Sequence, residues 1–83
     1  MVLTTAENGK WVRVVSFEGE HQTEFKLRQY GLIPGDRAKI MRQTPLGGPL
    51  LIEVNGRAIA LGRSIASRIV VEELRVESPH SKV

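Results

Sequence analysis

The sequence predicts an all-β fold: a small antiparallel β-barrel of about five short strands with one short α-helix. β-Branched and aromatic residues are concentrated in short runs bounded by turn-forming residues. An Asn55-Gly56 pair separates two alternating apolar runs, which is the strongest short signal for a β-hairpin. A sheet of this size has exposed edges unless it curls strongly, so a bent, SH3-like barrel is expected.

The predicted strands are short and are separated by recognisable turns. They are residues 3–9 with a turn at Glu7-Asn8-Gly9, residues 11–17, residues 36–42, the hairpin of residues 50–61, and residues 69–71, which Leu74 and Val76 extend. Val12 and Val14 share a face, but Phe17 falls off the two-residue period, so a β-bulge near Ser16 is expected. Residues 64–66 are expected to form a single helical turn.

The hairpin of residues 50–61 has the best-defined register. With Asn55-Gly56 as its turn, Ile52 faces Ile59 across the two strands. The larger apolar face then consists of Leu50, Ile52, Val54, Ile59 and Leu61. A slip of one residue would expose this whole set, so the sequence specifies the pairing strongly.

One α-helix is expected over residues 24–30, with Thr23 as its N-cap. Gly31 can adopt the left-handed conformation that ends a helix, and Leu32 can then fold back onto the last turn. The Pro34-Gly35 pair that follows predicts a type II turn, because proline sets the first central position and glycine supplies positive φ at the second.

Composition excludes several classes of protein. There is no cysteine, hence no disulfide framework, thiolate metal site or cysteine nucleophile. Twelve basic residues against nine acidic ones leave a net charge of +3, which favours an acidic partner only weakly. The sequence shows neither a signal peptide nor a membrane-spanning apolar run, so a cytoplasmic location is expected. One domain is expected over residues 1–76, followed by a disordered tail over residues 77–83.

Polar side chains that suit a metal ion occur near the predicted helix. They are Glu18, Glu20, His21 and Glu24. Carboxylate and imidazole groups bind zinc and ferrous iron, but no paired-ligand spacing is present. The cluster is therefore interpreted as a solvated loop and a helix cap, and neither a metal site nor a cofactor is predicted. No nucleophile, base and orienting group share a supporting pattern either, so the protein is not expected to be an enzyme.

Several of these features together resemble the FeoA family, the small cytosolic proteins that accompany the ferrous iron transporter FeoB. The matching features are Leu27, the Tyr30-Gly31-Leu32 step, Pro34-Gly35, the TPLGGP loop of residues 44–49, and the closing Ala66, Ile69 and Val71. The resemblance extends from about Leu3 to Glu72 and implies an SH3-like barrel. Lys26 and Tyr30 stand where the family usually has arginine and leucine.

The resemblance implies that the partner is the cytoplasmic part of a FeoB-type transporter, with no nucleic-acid partner and no membrane insertion. The predicted docking residues are Arg28, Lys39, Arg42, Pro45, Leu46, Gly47 and Gly48. The two prolines of the 44–49 loop limit its freedom, so little entropy remains to be lost on binding. Leu46 is either an exposed apolar anchor or a plug at the end of the barrel. The basic residues form either a binding patch or an ordinary solvated face.

The sequence leaves two other functions open. The same small barrel resembles the C-terminal domain of iron-dependent transcriptional repressors, which would make the chain a stand-alone regulatory barrel. The sequence has no helix-turn-helix before the barrel, so it could not bind an operator alone. A third possibility is stimulation of GTP hydrolysis by the partner, for which Arg63 or Arg28 would have to act as an arginine finger.

Overall fold

The computed structural model of the chain describes residues 1–19 and 21–74. Its strands are β1 (Trp11–Phe17), β2 (Arg37–Gln43), β3 (Leu50–Val54), β4 (Arg57–Leu61) and β5 (Ile69–Glu73), and its helices are α1 (His21–Gln29) and α2 (Arg63–Ala66). All five strands form one antiparallel sheet in the order β4-β3-β2-β1-β5. The predicted all-β, SH3-like class is confirmed, although β4 and β5 do not pair to close the barrel. The expected Val76 extension and 77–83 tail lie outside the described residues.

The predicted hairpin is confirmed in full. Ile52 faces Ile59, and both turn residues have positive φ, 50° at Asn55 and 78° at Gly56. These angles fit the primed turn whose twist matches that of the flanking strands. The inward residues of β3 are completely buried, as are Ala38 and Ile40 on the neighbouring strand β2. One face of the sheet therefore carries the core.

Two β-bulges change which residues face that core. The register of β1 against β5 shifts between Val14 and Ser16, which confirms the expected bulge and returns Phe17 to the core side. A second shift, between Ile40 and Arg42 in β2, was not predicted. Because the extra residue reverses the alternation, each bulge reassigns the faces of all side chains that follow it in the strand.

Helix α1 ends as predicted but begins earlier. The Leu32 N–H donates to the Leu27 carbonyl (2.9 Å) and the Gly31 N–H donates to the Arg28 carbonyl (2.9 Å), the two bonds of a Schellman motif. Gly31 has φ of +84°, as this motif requires. The prediction of Thr23 as N-cap is wrong: Thr23 lies inside the helix, and its hydroxyl accepts a hydrogen bond from Arg68 (3.3 Å).

The predicted strand at residues 3–9 is also wrong. Leu3–Thr5 forms a 3₁₀ turn that buries Leu3 in the core, and Val2 makes an isolated bridge to Val70. The Val71 N–H donates to the Met1 carbonyl (2.7 Å), so the first two residues cover the outer edge of β5. Within the described part of the chain, no helix is long and apolar enough to cross a membrane.

Candidate docking site

The 44–49 loop is a tight turn between β2 and β3. The Gly48 N–H donates to the Pro45 carbonyl (3.3 Å), which closes a four-residue turn. Both central residues have positive φ, 61° at Leu46 and 73° at Gly47. This pattern is that of a type I′ turn, which normally carries glycine or asparagine at its first central position. Leucine at that position is therefore unexpected.

The base of the loop is fixed by side-chain contacts. The Thr44 hydroxyl donates to the Pro49 carbonyl (3.0 Å), and the Thr44 backbone N–H points at the same oxygen (3.4 Å). A Cβ at Gly48 would collide with the Thr44 hydroxyl, so glycine is needed there for space. These contacts, with a proline at each end of the turn, leave the loop few alternative conformations.

Leu46 has an exposed fraction of 103% of its reference value, so its side chain contacts almost nothing. The alternative in which Leu46 plugs the end of the barrel does not fit this structure. A non-glycine residue in the left-handed region costs roughly 1–2 kcal/mol relative to a right-handed one. Leu46 therefore combines backbone strain with an apolar side chain that makes no packing contribution to the fold.

Arg63, at the start of α2, contacts the base of the 44–49 loop. Its guanidinium donates to the Thr44 carbonyl (3.4 Å), and its Nε is buried without a hydrogen-bond partner among the described residues. The sequence suggested Arg63 only as a candidate arginine finger. No local pattern indicates a contact between residues nineteen positions apart, so this role becomes visible only in the folded chain.

The basic residues of β2 lie together on the outer face of the sheet. Arg37 pairs with Arg13, and Lys39 pairs with Glu53, on the side of the sheet opposite the core. Strict alternation would turn Arg42 towards the core with Ile40. The bulge in β2 instead pairs Arg42 with Leu51 and leaves it exposed on the outer face. The predicted Lys39 and Arg42 therefore share a surface.

Arg28 is separated from this outer-face group. It lies on α1, whose Leu27 is buried in the core on the inner side of the sheet. The Arg28 guanidinium pairs with Glu24 (3.4 Å) one turn earlier; Arg28 is largely exposed and Glu24 is partly exposed. The predicted docking residues thus divide into the loop with its neighbours on β2, and Arg28 on the other side of the sheet.

The described acidic and histidine residues near α1 do not form a metal-binding group. Within residues 1–19 and 21–74, no group of three or more His, Cys, Asp or Glu side chains is placed to hold a metal ion. Glu20, one of the four residues considered above, lies outside the described residues. The carboxylate of Glu24 is engaged by Arg28.

The chain matches a known family of proteins in both sequence and structure. The model of the FeoA domain matches residues 1–73. A crystal structure of an iron uptake regulatory protein (FeoA) is similar with a TM-score of 0.78 and 32% identity, over 87% of this chain and 93% of that one. The solution structure of the FeoA protein from Chlorobium tepidum has a TM-score of 0.81 and 30% identity, over 96% of this chain and 76% of that one.

A second group of structures shares the fold alone. A manganese-dependent transcriptional repressor is similar with a TM-score of 0.82 but only 17% identity. The similarity covers 89% of this chain and 41% of the repressor. This agrees with the resemblance to a repressor domain noted in the sequence. A comparison with curated proteins found no match.

Proposed function

The chain belongs to the FeoA family, and from this premise we propose that it is an accessory protein of ferrous iron uptake that docks on the cytoplasmic region of a FeoB-type transporter. The family is associated with ferrous iron transport. In this proposal the protein works on the cytoplasmic side of the membrane, acts by binding and does not carry iron itself. Its docking surface is the 44–49 loop together with the adjacent outer face of β2.

The observation that carries this proposal is the state of Leu46. Its backbone has a φ of 61° and its side chain is fully exposed. Asparagine or glycine would adopt this turn with less strain, and a polar side chain would suit the exposure better. Leu46 is strained and makes no packing contact within the fold, so a contact with another molecule explains it better.

The loop is also arranged to bind at low entropic cost. Thr44 and Arg63 hold its base, and Pro45 and Pro49 restrict its backbone. A partner would therefore meet a preformed apolar projection, and little further ordering would be needed. A few residues that fill well-packed pockets carry most of an interface's binding energy, and a projecting apolar side chain is placed to enter such a pocket.

The charges nearby suit an acidic surface around such a pocket. Lys39 and Arg42 lie on the outer face, on the strand that leads into the loop, and neither forms a salt bridge among the described residues. Arg42 is exposed and Lys39 is half-buried. Basic groups on such a surface accelerate association with an acidic partner, and the effect is screened by salt. Binding should therefore weaken as ionic strength rises.

The test is to measure binding of Leu46→Glu to the purified cytoplasmic domain of a FeoB-type transporter. We expect affinity to fall at least tenfold, about 1.4 kcal/mol, with hardly any change in melting temperature. Leu46→Asn serves as a matched variant, because asparagine tolerates the left-handed backbone and adds no charge. It should also bind more weakly.

A second control addresses exposed apolar residues in general. Val15 lies at the bulge of β1 and is 47% exposed, so Val15→Glu places a similar charge on another part of the surface. This variant should keep wild-type affinity. Unchanged binding of a folded Leu46→Glu variant would remove the loop from the docking surface, whereas no binding of the wild-type chain would contradict the proposed partner.

A further inference from the structure

The two outer edges of the sheet differ. On β5, the Val71 N–H donates to the Met1 carbonyl (2.7 Å), the terminal amine donates to the Val71 carbonyl (3.2 Å), and Val2 bridges Val70. On β4, the strand at the opposite end of the sheet, no backbone hydrogen bond is made on the outer side within the described chain. Among residues 1–19 and 21–74, one edge is thus covered and the other is open.

The hairpin register shows which groups the open edge presents. In a two-residue hairpin, the residues that flank the turn exchange hydrogen bonds, and alternate residues beyond them do the same. Arg57, Ile59 and Leu61 therefore bond to β3, and the N–H and C=O groups of Ala58 and Ala60 point outward. Both alanine side chains are exposed.

Beyond Arg57, at its first position, β4 lacks the features that usually prevent strand pairing. Natural edge strands are protected by lysine, proline, inward charges or bulges. The register of β4 against β3 is continuous, without a bulge. Residues 58–61 read Ala-Ile-Ala-Leu, with neither a charge nor a proline. Small side chains at both outward positions let another strand approach without obstruction.

We propose that β4 pairs antiparallel with β4 of a second copy of this chain, with the twofold axis at Ile59. Ala58 then faces Ala60 of the second copy, and Ala60 faces its Ala58. Each pair exchanges two backbone hydrogen bonds, because all four residues present their polar groups at the edge. The two five-stranded sheets join into one. The contact is isologous, so it closes as a dimer.

The bounds of β4 favour this register over its neighbours. A shift of the axis to Ala58 would pair Ala60 with Gly56, which lies in the turn. A shift of the axis to Ala60 would pair Ala58 with Gly62, beyond the end of β4, so that pair would fall outside the strand. With the axis at Ile59, Arg57 faces Leu61, and both outward residues pair within the strand.

The same edge could accept an extended segment of another protein. The second copy is favoured because the pairing is self-complementary: both chains present identical small residues, in a register that opposes no like charges. An interface of few hydrogen bonds and small side chains belongs to the weak class. Association should therefore depend on concentration. This inference does not rest on the docking proposed for the 44–49 loop, which lies elsewhere on the chain.

The test is sedimentation of the full chain from about 10 µM to about 1 mM, the range in which weak interfaces dissociate. The average mass should rise from 9.2 kDa towards twice that value. In hydrogen exchange, the amides of Ala58 and Ala60 should become protected as concentration rises. The Ile59 amide, already bonded to β3, should change little. A mass that stays at 9.2 kDa throughout the series would overturn the proposal.

Two double variants test the register. Ala58→Lys with Ala60→Lys opposes two pairs of like charges in the dimer, so the association constant should fall at least tenfold. Ala58→Lys with Ala60→Glu opposes unlike charges instead and should associate at least as well as the wild type. Both alanines are exposed, so both variants should fold. Equal association of the two variants, or loss of association in both, would overturn the proposed pairing.

Discussion

Replacement of Leu46 by glycine should weaken partner binding without lowering the stability of the protein. The Leu46 side chain is fully exposed, so its removal exposes no further apolar surface and leaves no cavity. Its φ of 61° lies in the region that glycine adopts readily and leucine does not. The change therefore removes a strain and the proposed contact with the partner, and it removes no contact within the fold.

The expected change in the free energy of unfolding is the difference between two opposing effects. Relief of the left-handed backbone at position 46 stabilises the folded chain by roughly 1–2 kcal/mol. The greater freedom of glycine in the unfolded chain offsets roughly 0.5–1 kcal/mol of this gain. The net change in the free energy of unfolding is expected between about zero and about +1.5 kcal/mol. For a domain of this size, 1 kcal/mol corresponds to roughly 4–8 °C in melting temperature.

The assay is urea denaturation of the wild type, Leu46→Gly and Leu46→Ala, with binding to the transporter domain measured on the same preparations. Leu46→Ala keeps the strain and removes the side chain, so its stability should equal that of the wild type, while its binding weakens. A loss of about 1 kcal/mol or more in the glycine variant would show that Leu46 packs within the fold. The anchor interpretation would then be wrong.

Two further predictions test the fold. Ile52→Ala should lower the free energy of unfolding by roughly 2–5 kcal/mol, because Ile52 is completely buried; denaturation measures this, and a change near zero would contradict its place in the core. Gly31→Ala should cost at least roughly 1 kcal/mol, because Gly31 has positive φ and a Cβ there would displace the Arg57 guanidinium from the Tyr30 carbonyl, to which it donates. Gly35→Ala is a matched control with positive φ but open space, so it should cost slightly less; an equal loss would exclude the displacement of Arg57 as a cause.

Local features of the sequence were sufficient to predict the hairpin, the end of the helix and the turn after it. Asn55-Gly56 determines a register because both residues tolerate positive φ. Gly31 ends α1 for the same reason, and the Asp36 N–H donates to the Ile33 carbonyl (3.1 Å) as the type II turn requires. In each case the residues that specify the structure lie within a few positions of it, so no long-range contact had to be known. The loop between β2 and β3 was also predicted in this way, and its part in docking stays a prediction.

Other features depend on contacts between distant parts of the chain. Leu3 turns into the core because the first residues cover the edge of β5, and sequence alternation does not show which edge is free. Thr23 lies within α1, and its hydroxyl accepts a hydrogen bond from Arg68, which is 45 residues away in the sequence. The bulge in β2 places Arg42 on the outer face, a choice made by pairing with β3. The positive φ of Leu46 likewise arises in the turn that the Gly48–Pro45 hydrogen bond closes. The two-residue period of a strand and the 3.6-residue period of a helix each describe one element at a time. The features in this paragraph depend instead on contacts between elements.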